Sequence, residues 1–182
     1  SERLSLPLGE KEPILSTIGA LIPRKGQELV LRALVALPEV RLLIVGKGPD
    51  EAKLRALADE LGVAQRVHFL GLLDHDLLPL VLSASNAMVL PSSSEGLANA
   101  WVEALACGTP IVIADVGGAR ELVRGQAAGL IVVREPASIA EGVQVLLDNP
   151  PDPADTAQVV DGFGWAEHAE ALDRIYSEVL GA

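Results

Sequence analysis

The chain has 182 residues, which favours one large domain over two small ones. With 49% apolar and 21% charged residues it is rich enough in core formers to fold, which excludes a disordered or solvating chain. Acids outnumber bases 25 to 14, and the formal net charge of -11 excludes a global basic footprint for nucleic acid and sets the chain as a whole against an anionic membrane surface. The single cysteine cannot form an internal disulfide, and aromatics at 3% are too few for base-stacking platforms. No apolar run approaches the roughly 18 residues of a membrane span, and residues 1–13 lack the apolar centre of a signal peptide. A cytoplasmic location is the expectation.

Residues 1–13, with Pro7, Gly9 and Pro13, read as a linker or lead-in. Short runs rich in Val, Ile and Leu follow at 14–21, 41–45, 67–70, 87–90, 110–114 and 129–133. They do not alternate polar with apolar, as expected of strands buried on both faces of a parallel sheet. Helical spacing separates them. Leu29, Ala33, Leu34 and Leu37 form one stripe, and Leu54, Leu57, Ala58 and Leu61 another. The second opens at Gly48-Pro49-Asp50-Glu51 and closes at Gly62, a position suited to a left-handed cap. Further helices are expected at 77–84, 95–107, 119–123 and 137–147. Residues 149–153 break the pattern, and Trp165, Ala169, Leu172, Ile175, Tyr176 and Val179 mark a last amphipathic helix. Six alternations of strand and helix imply right-handed crossovers, hence a Rossmann-like, doubly wound parallel six-stranded sheet of the α/β class over residues 14–182. Ligands in such sheets bind beyond the carboxyl ends of the strands.

The loops that follow strands are therefore the candidates. Gly46-Lys47-Gly48 lacks the third glycine of a dinucleotide fingerprint, and no Gly-Lys-Ser or Gly-Lys-Thr occurs. Residues 91–110 are more informative. Three serines precede Glu95-Gly96-Leu97-Ala98-Asn99, then a helix holding Glu103. A helix start offers free N–H groups and the positive end of a dipole, which favours a phosphate. On a continuous helix Glu95 and Glu103 would be separated by about 12 Å of rise. That is too far for a general acid/base pair, whose carboxyls stand about 5–9.5 Å apart. The spacing suits the two ends of an elongated polyol with a phosphate between them, carboxylates accepting from its hydroxyls. A capping Glu95 with a solvated Glu103 is the competing reading.

The run Pro91-Ser-Ser-Ser-Glu95-Gly-Leu-Ala-Asn-Ala-Trp-Val-Glu103-Ala-Leu-Ala-Cys-Gly108-Thr-Pro110 resembles the paired-glutamate motif of retaining glycosyltransferases of family 4, which have the two-domain GT-B architecture. Pro23-Arg24-Lys25-Gly26, Val45-Gly46-Lys47-Gly48-Pro49-Asp50, Val67-His-Phe-Leu-Gly71, Gly117-Gly118-Ala-Arg-Glu121-Leu122, and Phe163-Gly-Trp165 with Tyr176 resemble further family segments in the family's order. The resemblance covers residues 14–180 and matches only the second, donor-binding half of such enzymes. It implies transfer of a hexose from a nucleoside diphosphate sugar to a hydroxyl acceptor, without a metal or other cofactor. Partners would be the donor and an N-terminal acceptor domain of the same enzyme, with no nucleic acid, and any peripheral membrane association would belong to that other half. The resemblance gives Glu95 and Lys25 catalytic roles: Glu95 contacts the transferred sugar and Lys25 the diphosphate. Glu103 would hold the ribose, and the N–H groups of Gly96, Leu97, Ala98 and Asn99 the sugar and distal phosphate. Gly46 and Leu72 would flank the base, and Gly26 and Gly48 complete the donor-contacting set. Where the family often has arginine after the first-strand glycine this chain has Ala20, and Arg24 either takes that place or faces solvent. The isolated domain is expected to transfer nothing.

Other residues read as structural. Cys107 has no base beside it, and Asp74-His75-Asp76 suits a loop and cap better than a metal. His68 and His168 fit strand and helix patterns, and Trp101 the core. Glu121 either contacts ligand or orders its own loop. Two alternatives to a transferase are a nucleotide-sugar epimerase of GT-B topology and a non-enzymatic sugar-nucleotide-binding module.

Overall fold

The computed structural model describes residues 12–180. Six parallel strands, β1 (Ile14–Ile18), β2 (Arg41–Val45), β3 (Val67–Gly71), β4 (Ala87–Leu90), β5 (Ile111–Ala114) and β6 (Gly129–Val132), form one sheet in the order β3-β2-β1-β4-β5-β6. The chain winds outward from β1 to one edge, returns to β4 beside β1, and winds to the other edge. The switch point predicted for such a sheet lies between β1 and β4.

Successive residues of each strand face opposite sides, so the sheet serves two cores. Leu15, Leu42, Ile44, Val89 and Val112 point into one, together with α1 (Gln27–Ala33), α2 (Glu51–Glu60) and α6 (Pro136–Asp148). Leu43, Val45, Met88, Leu90, Ile111 and Ile113 point into the other, with α3 (Leu78–Ser83), α4 (Asn99–Ala106) and α5 (Ala119–Leu122). This explains the unbroken apolar runs of the sequence. Trp101 on α4 is fully buried in the second core, as expected.

Most bounds fall within a residue or two of the sequence expectation, and three features depart further. The first strand ends at Ile18 rather than at 21, because Leu21 leaves the sheet to bury its side chain in the first core. A short helix, α7 (Pro153–Gln158), starts inside the expected break; Asp152 caps it by accepting from Ala154 N–H at 2.8 Å, with proline in the first turn. The helix carrying Glu103 begins at Asn99, not at 95. The Gly96 carbonyl accepts from Gly118 N–H at 2.8 Å instead of from the helix, so Glu95 and Gly96 belong to the preceding loop. The last helix, α8 (Trp165–Leu180), forms as expected, with Leu172, Ile175, Tyr176, Val179 and Leu180 exposed. His168 lies on α8, but its side chain, like residues 1–11, is outside the described part.

Trp101→Ala should lower stability by about 3–5 kcal/mol, the cost of emptying a fully buried aromatic site. Urea denaturation with a circular-dichroism readout checks it.

Candidate functional site

The β1 and β4 loops leave the sheet side by side at the switch point and close on each other. Ser93 N–H donates to the Arg24 carbonyl at 2.8 Å, and the Arg24 guanidinium donates to the Ser94 carbonyl. Lys25 Nζ donates to Glu95 Oε1 at 2.6 Å, while Arg24 stands 3.3 Å from Glu95 Oε2. Glu95 and Lys25 are nearly enclosed, with side chains 9% and 15% exposed. Burial works against the charge of the Glu95 carboxyl, but the hydrogen bond from Lys25 and the charges of Lys25 and Arg24 outweigh it and hold the group below the usual carboxylate range. Arg24 thus faces the carboxylate, whereas Ala20 is exposed and offers its carbonyl to Gln27 Nε2 at 3.1 Å.

Glycines set the shape of these loops. Gly46 has φ 133°, and a Cβ there would fall 2.0 Å from the Gly19 carbonyl oxygen. Its neighbour Gly48 lies under the Leu21 carbonyl, and Gly26 packs on the Pro91 carbonyl. These three positions therefore hold the β1 loop against β2 and β4 by close backbone approach. Gly117, with φ 51°, does the same for the β4 loop: a Cβ would meet the Gly96 carbonyl oxygen at 2.1 Å.

Beyond the ion pairs, the chain rises to α4, whose cap position is Ala98. Alanine cannot accept from the first turn, so no side chain caps α4 and the N–H groups of Asn99 and Ala100 have no intrahelical acceptor. A cleft of about 400 Å³ opens beside this turn, lined by His75, Leu97, Asn99, Val102, Glu103, Phe163 and Gly164. Its size suits a small organic ligand.

The structure thus sorts the sequence candidates into two groups. Arg24, Lys25 and Glu95 meet in the ion cluster, with Gly96 and Ala98 just beyond it; Leu97, Asn99 and Glu103 line the cleft. Glu95 and Glu103 do not share a helix, so the 12 Å helical rise does not describe their separation. Leu72 does not line the cleft and is 71% exposed. The β3 loop delivers His75 instead, a residue the sequence presented as part of a capped turn. Glu121 is exposed on α5, and its backbone N–H donates to the Gly118 carbonyl at 3.0 Å. Cys107 is half-buried, and burial pushes its thiol up, which suits an inert core residue.

A carboxyl held low when folded stabilises the fold above the unfolded value, and that contribution is lost as pH falls through the folded value. Glu95→Gln should therefore unfold at lower urea than the parent at neutral pH, and the gap should close as pH falls from about 6 to about 3. Urea midpoints measured across that range check it; a gap independent of pH would remove the ion cluster from the stability of the site.

The sequence profile of Glycosyl transferases group 1 matches residues 1–159. Among curated relatives, the D-inositol 3-phosphate glycosyltransferase of Mycobacterium bovis (strain BCG / Pasteur 1173P2) is 34% identical over 191 aligned positions, covering 98% of this chain and 39% of that protein. That of Mycobacterium sp. (strain KMS) is 40% identical over 136 positions, covering 71% of this chain and 31% of that protein. The chain therefore spans about a third of the length of these relatives. Sucrose-phosphate synthase from Thermosynechococcus elongatus superposes with a TM-score of 0.83 at 30% identity, covering 96% of this chain and 47% of that one. Anabaena HepE, in complex with UDP and glucose, has the same fold, with a TM-score of 0.81 at 24% identity, covering 91% and 48%. On the strength of the profile match and the relatives, the chain belongs to the group 1 glycosyl transferases.

Proposed function

We propose that the chain is the donor-binding domain of a retaining, family 4 glycosyltransferase, and that it seats a nucleoside diphosphate hexose across the ion cluster and the adjoining cleft. The observation that carries the reading is the meeting of Arg24, Lys25 and Glu95 at the switch point, next to a cleft that holds Glu103. Two cations face one carboxylate there, so the corner has an excess of positive charge in a chain of net charge -11. A diphosphate supplies the missing anion. Lys25 and the open N–H groups at the start of α4 receive its oxygens, Glu103 accepts from the ribose hydroxyls and Glu95 from those of the sugar. The base lies toward Gly46 and the β3 loop.

As the bond from sugar to diphosphate breaks, charge builds on the leaving phosphate. Lys25, Arg24 and the α4 dipole stand ready for it, so the reading requires no metal. The crystal forms of HepE with UDP and glucose and with UDP-glucose support this class of donor. The hydroxyl acceptor is held by the part of such enzymes that this chain does not match, so the chain alone binds donor and transfers nothing. Any membrane association belongs to that part as well; among the described residues no helix is long and apolar enough to cross a membrane. We place the enzyme in the cytoplasm. The relatives named as glycosyltransferases leave the epimerase alternative without support.

Isothermal titration with UDP, GDP and ADP, their hexose conjugates and the bare nucleosides tests the proposal. Lys25→Ala should weaken the preferred diphosphate by about tenfold to a hundredfold, the scale of one charge-assisted hydrogen bond, and spare the nucleoside. Glu103→Ala should weaken both. Failure of every nucleotide to bind the unaltered chain, or equal losses for diphosphate and nucleoside in Lys25→Ala, would overturn it.

A further inference from the structure

We infer that Arg134, two residues past the end of β6, is a positioning residue that fastens the β1 and β4 loops together and so fixes where Lys25 and Glu95 stand. The inference rests on the nucleotide-sugar reading above. Arg134 Nε donates to the Pro91 carbonyl at 2.8 Å, and Nη2 donates to the Pro23 carbonyl at 3.3 Å. Pro91 follows the last residue of β4 directly, four residues before Glu95, and Pro23 lies midway along the β1 loop, two residues before Lys25.

The geometry is that of a clamp. Nε and Nη2 share one edge of the planar guanidinium, so two parallel N–H groups meet two carbonyls from different loops; a lysine ammonium has no such fork. β6 is separated from β4 by β5, so the side chain reaches across the end of the sheet to a crevice that its own strand does not border. A second contact converges on the same atom: Gly26 presses its Cα side against the Pro91 carbonyl, where a Cβ would come within 2.5 Å. The Pro91 carbonyl is thus gripped between the β1 loop and Arg134. The interloop bonds of Arg24 with Ser93 and Ser94 tie the same two loops one residue further along the β1 loop and two to three further along the β4 loop, so Arg134 adds a second, adjoining tie.

The arrangement separates a positioning role from a merely stabilising one. Arg134 is exposed, and it belongs to neither apolar core. Its removal should therefore leave the melting temperature nearly unchanged while loosening the Lys25–Glu95 pair. Phosphate binding needs those charges in place; nucleoside binding in the Glu103 cleft does not.

Titration of the chain with UDP and GDP, each alongside its nucleoside, tests this. Arg134→Ala should lose roughly tenfold in affinity for the diphosphate, the scale of one well-placed hydrogen bond, with the nucleoside unaffected. Arg134→Lys, keeping the charge without the fork, should recover little of that loss, whereas millimolar methylguanidinium should restore much of it to Arg134→Ala. Parent-like diphosphate affinity in Arg134→Ala, or equal losses for diphosphate and nucleoside, overturns the inference alone. Should Arg134→Ala not fold, full diphosphate affinity in Arg134→Lys overturns it and a loss confined to the diphosphate supports it. A parent chain that binds nucleoside diphosphates no better than their nucleosides overturns the functional reading, and this inference with it.

Discussion

The ion cluster of Arg24, Lys25 and Glu95 closes the gap that the strand order creates. Because the chain winds away in opposite directions from β1 and β4, the helices that follow them lie on opposite faces and leave a crevice between their loops. Apolar side chains could have filled it. Here a nearly enclosed carboxylate and two cations do so instead. Such a pair is a poor source of stability, since the cost of taking its charges out of water offsets most of their attraction. What it supplies is a defined electrostatic geometry at the switch point, where open sheets of this kind commonly receive ligands.

That geometry is held by backbone as much as by charge. Gly46 and Gly48 of the β2 loop let the Gly19 and Leu21 carbonyls of the β1 loop rest directly on their backbone, and Gly117 lets the β5 loop press against Glu95 and Gly96 from the other side. The β4 loop is consequently wedged between its two neighbours. Its acidic residue is aimed by the loops around it rather than by a helix of its own, and α4 is left free to begin at Asn99 without a side-chain cap. The missing side chain of Gly117 is what allows so close an approach, since a Cβ there would meet the Gly96 and Glu95 carbonyl oxygens at 2.1 and 2.3 Å.

The strands and most helices were legible in the sequence because the apolar runs are short, Val/Ile/Leu-rich and separated by strong breakers. Trp101 fell at helical spacing from Leu97 and Leu105, and its burial followed. The paired acids were legible as a motif, but their setting was not. Nothing local tells that Gly96 will give its carbonyl to Gly118 and so delay the helix by several residues, since that bond joins positions distant in sequence. His75 and Arg134 were missed for the same reason: one reads as a turn residue and the other as a solvated arginine until the fold carries them to the site. The Asp152-Pro153 start of α7 was a local signal, hidden among the prolines around it.

The uncovered side of α8 bears on how copies of this chain behave toward one another. Leu172, Ile175, Tyr176, Val179 and Leu180 present a contiguous oily strip to water, while a net charge of -11 makes the molecules repel. Dispersal in solution is then a balance between two ranges of force. At low ionic strength the repulsion acts over tens of ångströms and keeps the strips from meeting; at high ionic strength its reach shrinks to a few, and adhesion takes over. Concentrated salt, the usual remedy for sticky charged proteins, is for this chain the condition that promotes clustering.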